Sequence, residues 1–302
     1  MQMRKRVPAS IAVDWGLSGV RAWALDDQGS VLMKARSARN LSKHAGAGFE
    51  AALMRLISPW LLKESTPVLV SGVAMMDGVE DVVTSPRLPA TPTVSLPIPV
   101  STTDTRASVH VLPGLLQASP ADRLDAEEAV VRGVIADYPG FTGALCLPGD
   151  FSKWILLQAG TVRSISSFLS GELVSLLVAQ SSLTGLEGHR GLDEATFQET
   201  VSEVLREPES IMRVLGALKT GPRASVDIQL ARLSGAVIGA ELAATRSYWA
   251  DRPVIVIGHG APARHHSLAL AAQGCDVSVR DDEELAFIGL KAALTHVVTE
   301  LA

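Results

Sequence analysis

Two stretches of the chain are written to one plan, and that duplication limits the fold more than any other feature. "SIAVDWGLSGVRAWALDDQGSVL" runs apolar strand, glycine-containing turn, apolar strand, turn, strand, and "GALCLPGDFSKWILLQAGTV" repeats the order. Trp23 is followed six residues later by Gly29, Ser30 and Val31, and Trp154 six residues later by Gly160, Thr161 and Val162. A hairpin of this kind at the start of each half points to two similar α/β subdomains.

The rest of each half supports that reading. After the first hairpin come an amphipathic helix pattern, "GFEAALMRLISPWLLKE", and a buried-strand pattern, "PVLVSGV". Residues 84–103, rich in Pro, Ser and Thr, read as loops and extended segments, "VHVLPGL" as a short strand, and "DAEEAVVRGVIADY" as a helix. The second half holds the helical patterns "SGELVSLLVAQ", "DEATFQETVSEVLR" and "SVDIQLARLSGAVIGAELAATRSYW". It closes with a strand "PVIVIG", a helix "ARHHSLALAAQG", a strand "DVSVR" and a helix "EELAFIGLKAALTHVV". The expectation is α/β with mixed sheets flanked by helices. Its domains are 1–115 and 116–302, with a helical insertion at about 180–250 and the last helix packing back toward the N-terminal domain.

With 47% hydrophobic and 20% charged residues, the chain can bury a core. A net charge of −5 argues against nucleic acid as a partner. "MQMRKR" is basic, but no apolar run follows it, so a signal peptide is rejected. The most apolar stretch, around "GELVSLLVAQ", is too short to span a bilayer and is broken by Glu172. Cys146 and Cys275 lie far apart in apolar runs and read as buried, reduced thiols of a cytoplasmic protein. A homodimer is left open as an assembly.

The turns carry the chemistry. Small residues let a backbone approach phosphates closely, and successive N–H groups form an anion-binding concavity. An Asp at a strand end can hold Mg2+ and neutralise phosphate charge. Asp14 therefore reads as the metal ligand. Gly16 and Ser18 line one phosphate, and Gly149, Asp150, Ser152 and Lys153 form a second hairpin. Asp and Gly also favour turns for conformational reasons alone. It is the recurrence of the hairpin, with a third glycine turn "GHGAPA", that shifts the balance to ligand binding. That third turn fits G-x-G-x-x-A, with Asp281 downstream as a ribose carboxylate. Only about one β-α-β unit remains after it, too little for a dinucleotide-binding domain, so Gly258 and Gly260 read better as passing under an adenosine.

"AVDWGLSGVRAW", "LPGLL", "DAEEAVVRG", "LPGDFSKW", "SGEL" and "LSGAVIGAEL" fall in the order and spacing of 2-dehydro-3-deoxygalactonokinases, and the chain resembles that family over most of its length. The resemblance implies two ribonuclease-H-like domains of the actin-like ATPase type with a cleft between them. It also implies ATP and Mg2+ in that cleft, and the 6-phosphate of a 2-keto-3-deoxy sugar acid as product. Leu17 stands where the family has Thr, and Asp150 and Phe151 where it has Thr and His. Asp125 and Ala126 stand in place of Arg-Gly, and "GVAMMDGVEDVV" lacks the usual Ser and Trp. A carboxylate at 150 would repel phosphates unless a metal or a transferable proton intervenes.

Asp122, Asp125, Glu127 and Glu128 read as an acidic cluster at a helix start. N-capping would account for Asp122 and Asp125. The functional reading makes Asp150 or Asp122 the base that takes the sugar hydroxyl proton. Arg21, Glu127, Glu128, Ser170 and Glu172 are then the substrate-side candidates. His265 and His266 are expected at the surface or at caps. A kinase of a small sugar acid is the leading expectation; the alternative is a nucleotide or sugar sensor in which Leu17 and Asp150 weaken transfer.

Overall fold

The computed structural model describes residues 8–16, 19–37, 48–62, 65–73, 76, 79–180, 186–188, 191–222 and 224–301. By compactness the described residues divide into two units. The first draws on Met1–Phe141, Ala159–Arg163 and Asp282–Ala302, and the second on Thr142–Gln158 and Ser164–Asp281. The expected boundary after residue 115 falls inside the first unit, which runs on to Phe141 before the chain enters the second.

The first unit opens with β1 (Ser10–Gly16), β2 (Gly19–Leu25), β3 (Val31–Ser37), α1 (Phe49–Ile57) and β4 (Thr66–Ser71). It continues through β5 (Ile98–Val100), β6 (Ala107–Val111), β7 (Leu115–Gln117), β8 (Asp122–Leu124) and α2 (Glu127–Asp137). Its main sheet runs β3-β2-β1-β4-β6-β5. β1 and β2 are antiparallel, while β1–β4 and β4–β6 are parallel. β1 is buried along nearly its whole length, as a central strand covered on both faces must be. Ile11, Val13 and Trp15 face Phe49, Leu53 and Ile57 of α1 in one core cluster. β3 is largely exposed and carries Lys34 and Arg36, charges that suit a sheet edge. α1 ends at Ile57, earlier than the sequence pattern suggested, because Pro59 turns the chain into a 3₁₀ segment.

The second unit holds β9 (Thr142–Leu147), β10 (Ser152–Gln158), β11 (Thr161–Phe168), α3 (Ser170–Gln180), α4 (Glu194–Arg206), α5 (Ile211–Thr220) and α6 (Val226–Ala244). α7 (Arg246–Trp249), β12 (Val254–Ile257), α8 (Gly260–Ala272) and β13 (Val277–Arg280) complete it. Its sheet runs β11-β10-β9-β12-β13, the order of the first five positions of the other sheet. The antiparallel hairpin is again followed by two parallel neighbours. Ala159 and Gly160, both at positive φ, make the two-residue turn between β10 and β11. The doubled plan of the sequence is thus a doubled fold. α5 was not foreseen, although Ile211, Val214, Leu215 and Leu218 form an apolar stripe packed against its neighbours.

The last helix, α9 (Asp282–Leu301), belongs to the first unit and packs along α2. The approach is close: a Cβ on Gly133 would lie 2.0 Å from the Leu285 carbonyl, and one on Gly289 2.0 Å from that of Ala129. Trp23 and Trp154 are fully buried, as their strand positions implied. Cys146 is buried and Cys275 half-buried, both as free thiols. Among the described residues no helix is long and apolar enough to cross a membrane.

Candidate active site

In the first unit the sheet brings three polar side chains to the C-terminal ends of β1 and β4. Register places Asp14 opposite Arg21 on β2 and Ser71 on β4. Asp14 is 2% exposed. Its Oδ2 accepts from Arg21 Nε at 2.9 Å and Nη2 at 2.5 Å, and its Oδ1 accepts from the Ser71 hydroxyl at 3.2 Å. Arg21 Nη1 donates to Asp282 at the start of α9, at 2.8 Å. Glu283 extends the network outward to Arg36 and, at 3.8 Å, Lys34. Burial pushes the Asp14 carboxyl above its ordinary range, and Arg21 and Ser71 only partly offset it. Gly72, at φ +83°, lets the chain pass where a Cβ would sit 2.1 Å from the Trp15 carbonyl. Ends of parallel strands are where open α/β sheets bind ligands, and the carboxylate stands there. Gly16 closes β1, while Leu17 and Ser18 lie outside the described residues.

In the second unit the corresponding corner is the turn from β9 to β10. Gly149 and Asp150 form its tip, and α3 docks on it. A Cβ on Gly171 would lie 2.2 Å from the Gly149 carbonyl, and Glu172 N donates to the Asp150 carbonyl at 3.1 Å. The Asp150 and Phe151 side chains are exposed. Ser152 is buried, and its hydroxyl has no hydrogen-bond partner among the described residues. Lys153 Nζ donates to Ser167 Oγ at 2.9 Å. The third glycine turn has Gly258 at φ +144° and Gly260 at φ +70°, and α8 opens there with no side-chain cap. Uncapped first-turn N–H groups suit an anion. The antiparallel β9–β10 pair sets this sheet apart from the parallel sheet of a dinucleotide-binding domain.

Beneath these turns lies a buried polar cluster that the sequence reading missed. Glu241 of α6 accepts from Trp154 Nε1 at 2.7 Å and faces His266 Nε2 at 3.1 Å. His266 is 4% exposed, which corrects the expectation of a surface or cap role. It falls on the buried stripe Ala263, His266, Ala269, Leu270 of α8, and that spacing was the available signal. Burial alone would raise Glu241, but the His266 charge and the donors His266, Ser170 and Trp154 hold it low. Burial likewise opposes charge on His266, and Glu241 and the Pro262 carbonyl outweigh it, raising His266.

The acidic cluster is dispersed. Asp122 sits on β8, not at a helix start, and accepts from its neighbour Arg123 N at 2.8 Å. Asp125 pairs with Arg123 at 3.2 Å, and Ala126 occupies the N-cap without a side-chain bond, so neither aspartate caps α2. Glu127 reaches back to Asp125 N at 3.2 Å. Glu128 is fully buried against Arg132, which also donates to the Ser95 carbonyl at 2.6 Å. Burial pushes the Glu128 carboxyl up to about 7 against the pull of Arg132. Glu128 Oε1 is thus committed to Arg132. Arg21 donates to Asp14 through Nε and Nη2 and to Asp282 through Nη1.

The sequence pattern of the family described as 2-keto-3-deoxy-galactonokinase matches residues 14–293. Two relatives align along nearly the whole chain. A protein named as a probable 2-dehydro-3-deoxygalactonokinase, from Rhizobium meliloti (strain 1021), is 28% identical over 93% of this chain and 95% of its own. The 2-dehydro-3-deoxygalactonokinase of Escherichia coli (strain K12) is 27% identical over 95% of this chain and 98% of its own. The crystal structure of a Sinorhizobium meliloti protein given the same name provisionally superposes with a TM-score of 0.84. It is 25% identical and covers 95% of this chain and 99% of its own. The activator of 2-hydroxyisocaproyl-CoA dehydratase from Clostridium difficile, solved with ADPNP, shares the fold. Its TM-score is 0.51 at 12% identity, covering 97% of this chain and 96% of its own.

Proposed function

Since the chain belongs to the 2-keto-3-deoxy-galactonokinase family and so is a sugar-acid kinase, we propose that it transfers the terminal phosphoryl group of ATP to the 6-hydroxyl of 2-dehydro-3-deoxy-D-galactonate. The observation that carries the reading is Asp14, a buried carboxylate held at the ends of parallel strands by Arg21 and Ser71. Mg2+ fits there on one side only. Oδ2 is committed to Arg21, while Oδ1 has a neutral hydroxyl at 3.2 Å as its partner and keeps acceptor capacity for the ion or its water. Held there, Mg2+ would supply positive charge to offset that of the phosphates.

This chain's own groups do the rest by positioning and electrostatics. Arg21 fixes the Asp14 rotamer. In the second unit the Gly149–Lys153 backbone and the Ser152 hydroxyl, without a partner among the described residues, are the phosphate donors, and in the first unit Gly16 and Ser18 are the candidates. Gly258 and Gly260 border the adenosine. Asp150, exposed at its turn, accepts the hydroxyl proton, with Asp122 as the second candidate for base. Ser170 and Glu172 at the start of α3 in the second unit, and Glu127 in the first, are the candidates for contact with the sugar acid.

The test is a panel of 2-keto-3-deoxy sugar acids incubated with ATP and Mg2+, with ADP release measured and the phosphorylated carbon located by NMR. Asp150→Asn should lower kcat by roughly a hundredfold if Asp150 is the base. Binding of ATP with no turnover on any acid would favour the sensor alternative. Phosphate on another carbon would overturn the assigned product.

A further inference from the structure

Glu241 and His266 take no direct part in the reading above, yet they join the three segments on which its second half rests. His266 Nδ1 lies 2.9 Å from the Pro262 carbonyl, which can only accept, so that nitrogen carries a proton. Nε2 then faces a carboxylate oxygen at 3.1 Å. Two acceptors would repel at that distance, so a proton lies between them. Trp154 Nε1 donates to the same Glu241 oxygen and favours its ionised form, which leaves the proton on Nε2 and makes the pair imidazolium–carboxylate. The pair is sealed: His266 and Glu241 are 4% and 2% exposed.

Three elements converge on Glu241. Trp154, one residue beyond Lys153, brings the phosphate turn. The start of α3 joins through the turn itself: Gly171 presses on the Gly149 carbonyl, and the neighbouring Ser170 acts electrostatically on Glu241. His266 and Pro262 bring the first turns of α8, next to Gly258 and Gly260. Resting on the kinase reading, we propose that the Glu241–His266 ion pair is a positioning element. It holds the Gly149–Lys153 turn, the start of α3 and the Gly258–Gly260 turn in one geometry, and so sets affinity for the ATP polyphosphate without entering the chemistry.

The titratable groups facing His266 among the described residues are Glu241 from α6, Cys146 from β9 and its helix neighbour His265. Cys146 Sγ, a Glu241 oxygen and a His266 nitrogen lie within 4.8 Å of one another. A soft divalent cation could therefore replace the second proton, which gives the proposal a sharp competitor.

The experiment compares wild type, Glu241→Gln, His266→Gln, the double variant and the milder Trp154→Phe. Melting, ATP binding by calorimetry, kcat and both KM values are measured from pH 6 to pH 9. Glu241→Gln is expected to raise KM for ATP by roughly tenfold, the cost of a lost charged hydrogen bond, with KM for the acid and kcat within about twofold. The double variant, a neutral amide pair, should recover part of that loss, and Trp154→Phe should move KM for ATP in the same direction by less. ATP affinity of wild type should weaken at the alkaline end, and that dependence should vanish in the double variant. Unchanged KM for ATP in a turning-over Glu241→Gln enzyme overturns the proposal, as does an equal fall in every parameter. One equivalent of zinc in the purified protein, lost in Cys146→Ser, overturns the ion pair. If wild type neither binds ATP nor turns over, the kinase reading fails, and this inference fails with it. Unaltered variants beside an active wild type sink the inference alone.

Discussion

The two sheets share a strand order but differ in where they keep their charge. In the first, register sets Asp14 on β1 against Arg21 on β2, two pairs from Gly16–Gly19 at the turn end of the hairpin. In the second, alignment on the buried tryptophans puts Pro148 and Ser152 at the corresponding places, and neither carries charge. The buried carboxylate there is Glu241, on a helix beneath the turn. One hairpin presents a carboxylate, and the other presents backbone and keeps its carboxylate as support. The energetics differ in the same direction. Asp14 and Glu128 in the first unit are raised because burial outweighs their partners. Glu241 is lowered because a cation and further donors outweigh burial. A buried carboxylate stays ionised when enough donors converge on it: Oε2 of both glutamates lacks a partner among the described residues, but Glu241 Oε1 meets both Trp154 and His266, while Glu128 Oε1 meets Arg132.

The largest effect that could break this comparison is at Asp14. Asp14→Asn keeps the shape but offers Mg2+ a neutral oxygen, and should cost about a hundredfold or more in kcat. The burial cost of the charge goes with it, so melting should hold or rise near pH 7. Wild-type turnover in this variant would reduce Asp14 to a turn residue and erase the contrast.

The opposite shifts of the first-unit and second-unit carboxylates predict opposite pH dependence. Glu128 moves from an ordinary 4.5 to about 7 on folding. Its contribution is therefore full below pH 4.5 and is lost as pH rises through 7, a change on the order of 3 kcal/mol. Glu241, held low, contributes above its ordinary range and loses that as pH falls through its folded value. His266, held high, contributes below its ordinary range and loses that as pH rises through its folded value. Denaturation from pH 4 to pH 9 should show the wild type losing stability relative to Glu128→Gln as pH rises. Against Glu241→Gln it should lose stability at the acid end. Parallel curves for the two variants would remove the distinction.

Much of this was legible in the sequence, and the part that was not has a common cause. Alternation, glycine turns and continuous apolar runs are local, and they marked both hairpins and the parallel strands. Arg21 across from Asp14 follows from the hairpin register once the turn is located. Glu241 with His266 does not, because the two lie 25 residues apart on separate helices and only packing joins them. Asp122 was read as part of a helix start because acidic residues cluster near α2, yet β8 intervenes. α5 was passed over although its apolar stripe is regular.

The glycines beside the two corners sharpen the comparison at a smaller scale. Gly72 lets the chain pass Trp15 in the first unit, and Gly171 lets α3 meet Gly149 in the second. Alanine at either needs a shift of backbone, costing about 1–3 kcal/mol. Gly72→Ala adds a left-handed residue, worth about 1 kcal/mol more. Gly72→Ala should therefore melt lower than Gly171→Ala, while Gly171→Ala should raise KM for ATP more. Reversal of the second ranking would show that the second turn is not where polyphosphate is held.

The smallest effect lies at the rim of the Asp14 network. Arg36 is 65% exposed, and its partner Glu283 is 20% exposed. Such pairs contribute about 0–1 kcal/mol and weaken with salt. Arg21 has its own links to Asp14 and Asp282, so its hold on the carboxylate does not pass through Arg36. Arg36→Gln should shift melting slightly at low salt, not at all near 1 M, and leave kcat unchanged. Asp282→Asn removes the charge that shares Arg21 with Asp14, and should change kcat where Arg36→Gln does not. Equal losses from both variants would mean that the whole charged rim, and not the buried Asp14–Arg21 pair alone, sets the first corner apart from the second.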